Sequence, residues 1–155
     1  MLQILWEELT GGFPDVDQLQ RVAFRMLAAT VMGGIVGIQR ERAGKPAGLR
    51  THMLVAIGSA MFVLSASAAG MELDEVSRVI QGIAAGIGFL GAGAILKLED
   101  RRTIQGLTTA ASIWVTAAAG VAAGLGRVGT ALFGVILTWI VLSLIALMPA
   151  DADDD

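Results

Sequence analysis

Cysteine is absent from the 155 residues, which excludes a disulfide framework and removes the thiol nucleophile. Charge is scarce too: Asp, Glu, Lys and Arg make up 16% of the chain and the mean hydropathy is +0.71, so a domain with a solvated charged surface is not expected. The net charge of −3 argues against nucleic-acid binding. Residues 1 to 9 hold Glu7 and Glu8 but no basic residue, so no cleaved leader is expected. With a single histidine and no carboxylate inside an apolar run, the chain offers no catalytic constellation, and an enzyme is not expected.

What is present is apolar sequence in long blocks. Met26 to Gln39, Met53 to Met71, Val79 to Leu96, Thr103 to Gly126 and Val128 to Ala150 carry no charge, over 14, 19, 18, 24 and 23 residues. A bilayer core needs about 20 apolar residues per helix, so the pattern predicts an all-α, polytopic membrane bundle of five transmembrane helices. The first block reaches a full crossing if it starts near Val22 and Arg25 snorkels to the nearer interface. Three regions follow: an interfacial segment over 1–20, a five-span domain over 21–150 and an acidic tail over 151–155. Leu2, Ile4, Leu5, Trp6 and Leu9 interleave with polar residues ahead of Gly11, Gly12 and Pro14, which predicts an interfacial helix with Trp6 at headgroup depth.

Basic residues sort by side. Arg40, Arg42, Lys45 and Arg50 lie in the first connection and Lys97, Arg101 and Arg102 in the third, whereas the opposite side has Arg21, Arg78 and Arg127. The positive-inside bias makes the first and third connections cytoplasmic, with the N-terminus outside and the C-terminus inside.

A shift of 58 positions lays Gly33, Glu41, Gly48, Leu49 and Thr51 over Gly91, Glu99, Gly106, Leu107 and Thr109. This reads as a parallel repeat of two tandem helix pairs, with the fifth helix added. Small residues let helices approach in lipid, and their phases differ between spans. In the third span Gly82, Gly86 and Gly93 share one face and Ala84, Gly88 and Gly91 the other, so that span is expected at the centre of the bundle. Ala29, Gly33 and Gly37 form a stripe on the first span, and Thr108, Ser112, Thr116, Gly120 and Gly124 form one on the fourth. Bulky residues on every side make the fifth span the expected lipid-facing helix.

Polar groups at depth are hydroxyls and amides: Thr30, Ser59, Ser65, Ser67, Gln81, Ser112, Thr116 and Thr138. Ser112 and Thr116 could line a polar path for an ion or solute; the alternative is hydrogen bonding to the preceding turn or a neighbouring helix. No metal site and no cofactor is expected. Charged chemistry collects at the cytoplasmic side, in Arg40, Glu41, Arg42, Gly48, Arg50, Thr51 and His52. Thr51 can cap the second span, which places Arg50 at the positive end of that helix, and pairing with Glu41 is the expected compensation. A contact with an anion or a partner is the alternative. His52 is expected to hydrogen-bond at the interface, with pH sensing as the other reading.

Arg40-Glu41, the segment Gly48-Leu49-Arg50-Thr51-His52, the run GIGFLGAGAIL from Gly86 to Leu96 and GLTTAASIW from Gly106 to Trp114 resemble the MgtC/SapB family of bacterial inner-membrane proteins. The resemblance covers about residues 20 to 148, and it marks Gly86, Gly88, Gly91, Gly93, Gly106, Thr108, Thr109 and Trp114 as motif positions. It implies a multi-pass protein of the bacterial inner membrane linked to magnesium homeostasis and, in pathogens, to virulence. It further implies action on membrane energetics, including through a complex such as the ATP synthase; the glycine-faced helices, for their part, favour close contact with a second copy in a homo-oligomer or with a larger membrane complex. Longer members continue into a cytoplasmic domain, which this chain is expected to lack. The function expected is therefore regulation through intramembrane contacts within the lipid bilayer, with a small ion or solute transporter or channel as the alternative.

Overall fold

The computed structural model describes residues 1–5, 15–97 and 104–147; side chains are described for these except at 96, 97, 104 and 145–147. Residues 2–5 form an exposed helical turn. The rest of the expected interfacial helix, including Trp6, lies outside the described residues, as do Glu99, Arg101, Arg102 and the acidic tail.

Five long helices follow: α1 (Val16–Arg42), α2 (Leu49–Ala68), α3 (Leu73–Gly93), α4 (Leu107–Gly124) and α5 (Val128–Leu147). The first four are long and apolar enough to cross a membrane, and α5 carries no charged residue. The fold is thus the expected polytopic helical bundle. Helix α1 begins earlier than Val22, because the Asp15 carboxylate accepts the Gln18 N–H at 2.6 Å and starts the helix there. Between α3 and α4 a two-residue antiparallel ladder pairs Leu96 with Gln105 and Lys97 with Ile104. The ladder ends at Gly106, whose φ of 95° and contact with the Ala94 carbonyl leave no room for a side chain.

The bundle centre is α4, which packs on α1, α2, α3 and α5. Half of its apolar window is buried, against 17% for α3. The expectation that α3 is central is therefore overturned. Small residues mark a centre only where a neighbour fills the space before them. Gly120 and Gly124 of α4 lie against the backbone of Ala56 and Ala60 on α2, and Gly33 and Gly37 of α1 against that of His52 and Leu49. On α3, by contrast, Gly82, Gly86, Gly88 and Gly93 have no atom within 4 Å of where a Cβ would stand. Only Gly91 meets a neighbour, the Cβ of Ala110 at 3.6 Å. That contact repeats Gly33 against His52 at the same shift of 58, so the duplication extends to packing.

Helix α5 lies at the edge, with Leu132, Phe133, Ile136, Leu137, Trp139, Ile140, Val141 and Leu144 exposed. Its inner stripe is nonetheless buried: Ala131, Val135 and Leu142 pack with Met32 and Val36 of α1 and Ala119 of α4. Leu142 faces protein rather than lipid.

Candidate functional site

The basic end of the bundle brings together the C-terminus of α1 and the N-termini of α2 and α4. Arg40 is 4% exposed, and its Nη2 donates to Thr109 Oγ1 at 2.9 Å. Its Nε and the neighbouring Gln39 Oε1 are buried without a hydrogen-bond partner. A buried guanidinium is costly unless it is hydrogen-bonded, so the Thr109 hydroxyl has structural weight.

From Thr109 a chain of bonds crosses to α2. Ser112 Oγ donates to the Thr109 carbonyl at 2.8 Å and lies 3.2 Å from His52 Nε2, while His52 Nδ1 is 2.9 Å from the Gly48 carbonyl. A carbonyl only accepts, so Nδ1 carries a proton. In the neutral ring Nε2 must accept, and the single Ser112 proton is then shared between Nε2 and the Thr109 carbonyl. His52 is fully buried, so it is an interhelical link between α2 and α4 rather than a residue open to the interface.

Glu41 completes the cluster in an unexpected way. Its Oε2 accepts the Leu49 N–H at 2.7 Å, at the start of α2, where Gly48 provides no side-chain cap. A carboxylate from α1 thus caps α2 and meets the positive end of its dipole. The expected ion pair between Glu41 and Arg50 does not form: Arg50 is exposed, and the Glu41 oxygen is taken up by backbone. Thr51 is not the cap, being the third residue of α2 and exposed. Arg42 and Thr108 are exposed as well, and Trp114 is exposed on the α4 flank.

The Ser112 and Thr116 hydroxyls of α4 are occupied. Thr116 is fully buried and donates to the Ser112 carbonyl at 2.8 Å; Thr30 and Thr138 make the same bond to Met26 and Gly134. These bonds satisfy the hydroxyl protons within their own helices. Among the described residues no group of three His, Asp or Glu side chains could hold a metal ion. At the opposite end, Arg25 Nη1 donates to the Gly124 carbonyl at 3.0 Å and closes the C-terminus of α4. The sequence places Arg25 at the interface, on the same stripe as Ala29, Gly33 and Gly37, and that stripe is the signal that it faces a neighbouring helix.

A bundle of long apolar helices, tied at one end by buried polar links, defines a polytopic membrane protein. The MgtC family model matches residues 26–149, and the chain belongs to that family. It is 44% identical over 133 residues to SrpB of Synechococcus elongatus, covering 79% of this chain and 73% of that protein. YhiD of Escherichia coli K12 is 41% identical over 127 residues, and MgtC of Salmonella typhimurium 41% over 112. These alignments span 77% and 72% of this chain but only 58% and 47% of the two relatives. No solved structure matches the chain.

Proposed function

We propose that this protein is a regulator of bacterial adaptation to low magnesium, acting in the inner membrane by helix contact with another membrane protein. One observation carries the reading. Gly82, Gly86 and Gly93, on one face of α3, have no atom within 4 Å of their Cβ positions, although glycines on α1 and α4 are used for close helix crossings. In lipid, association rests on backbone approach at small residues, so the open α3 face suits a partner's spanning helix. The family resemblance supplies the magnesium context, which the name of YhiD shares, and it suggests the ATP synthase as a candidate partner. A homo-oligomer through the same face is the competing arrangement.

Transport is the second reading, favoured by the repeat and by YhiD, which is named for a candidate role in magnesium transport. The buried, internally bonded Ser112 and Thr116 argue against an open polar path. The test has two arms. Photo-cross-linkers at Gly82 and Gly86 in native membranes should capture another membrane protein, whereas one at Leu132 on α5 should not. Proteoliposomes holding only this protein should show no saturable flux of Mg²⁺, protons or phosphate. Saturable flux abolished by Thr116→Leu would overturn the regulatory reading.

A further inference from the structure

The side of α3 away from its glycine face forms a groove of about 510 Å³ with α4 and the start of α5. Its walls are apolar, built from Ile80, Ile83 and Ile87 of α3 and from Trp114, Val121 and Leu125 of α4. At one end stand Arg127 and Thr130, where α4 turns into α5. From Trp114 to Leu125 the groove runs about 16 Å at 1.5 Å per residue, close to the half-thickness of a bilayer core of about 30 Å. Arg127 is exposed and directly precedes α5, whose first turn contains no acidic residue.

We propose that this groove binds one anionic glycerophospholipid of the adjacent leaflet, its phosphate at Arg127 and Thr130 and one acyl chain along the groove to Trp114. Two features agree on that occupant. The length suits a chain that begins at the interface and stops near the midplane. Among the described residues the only charge lining the groove is the Arg127 cation at the interface end, where a phosphate sits and where Thr130 adds a hydroxyl donor. A spanning helix would have to extend past Trp114 through the whole membrane, and this groove covers about one leaflet.

Trp114 makes the proposal measurable. In the chain with Trp6→Phe and Trp139→Phe, Trp114 is the sole tryptophan. Reconstituted in zwitterionic vesicles, its fluorescence should be quenched by phosphatidylglycerol with brominated chains at about one fifth the mole fraction needed for brominated phosphatidylcholine, the preference one interfacial arginine supports. Arg127→Gln should abolish that difference and Arg127→Lys should retain it. Arg78→Gln, which removes an exposed arginine outside the groove, should leave it unchanged. Equal quenching by both lipids would mean ordinary annular contact and overturn the proposal. Absence of quenching by either would mean that protein fills the groove, which would overturn it too.

Discussion

The guanidinium of Arg40 and the hydroxyl of Thr109 meet at 2.9 Å, both residues buried, across 69 positions of sequence. The bond joins the end of α1 to the first turn of α4, and through Ser112 and His52 the same cluster reaches α2. Three helices are thereby registered at one end of the bundle by polar groups that cannot easily find other partners in a membrane.

Thr109→Val keeps the volume and removes the acceptor, leaving the Arg40 guanidinium short of a partner. A loss of about 1 to 3 kcal/mol is expected, read as a lower melting temperature in detergent, while Thr109→Ser should stay near the parent. Equal stability of the Val and Ser forms would show that the bond carries no weight.

Because Glu41 caps α2 through the Leu49 N–H, Glu41→Ala should cost about 1 kcal/mol and Glu41→Gln less, since the amide oxygen still accepts. Arg50→Ala should change little. In the double-mutant cycle the two effects should add, and a coupling above about 0.5 kcal/mol would restore the ion pair that the sequence suggests.

Glycines that look alike in sequence should differ sharply on substitution. Gly120→Ala drives a methyl into the Ala56 carbonyl and should lower the yield of folded protein, whereas Gly82→Ala and Gly86→Ala meet open space and should be tolerated in detergent. Leu142→Ala, at a buried position of α5, should cost about 2 kcal/mol, and Leu137→Ala on the exposed side much less. Thermal unfolding of this set ranks the sites directly.

The basic residues predict which end faces the cytoplasm. Single cysteines at Ser77 and Lys45, both exposed at opposite ends of the bundle, should react with a membrane-impermeant maleimide from opposite sides of sealed vesicles. The chain's lack of native cysteine makes the measurement clean. Labelling of both from one side would refute the orientation.

The cluster at the basic end was partly legible. Arg40, Glu41 and His52 stand out because ionisable residues are rare in this chain, and the shift of 58 ties Gly48 to Gly106 and Thr51 to Thr109. Their partners were not legible. Glu41 has an arginine nine residues on, and an acid near a base in sequence suggests a pair; yet the exposed Arg50 can be solvated, whereas the Leu49 N–H at a helix start needs an acceptor. The Thr109 hydroxyl could have served its own helix, as Thr116 does, and only the arrival of Arg40 from α1 gives it a different role.

The helical class follows from the uncharged blocks alone, since a backbone in lipid must satisfy its own hydrogen bonds and an uncharged block of sufficient length therefore becomes a helix. Family membership follows as well, because the GIGFLGAGAIL and GLTTAASIW runs are local. The order of the helices in space does not. Gly86 and Gly120 present the same absent side chain to any one-dimensional reading, and they differ only in whether a neighbour's backbone stands in front of them. Tertiary packing placed α4 at the centre, left α3 open on both flanks and turned Leu142 inward, because in a bundle without a hydrophobic driving force the fit between particular surfaces decides which helices touch.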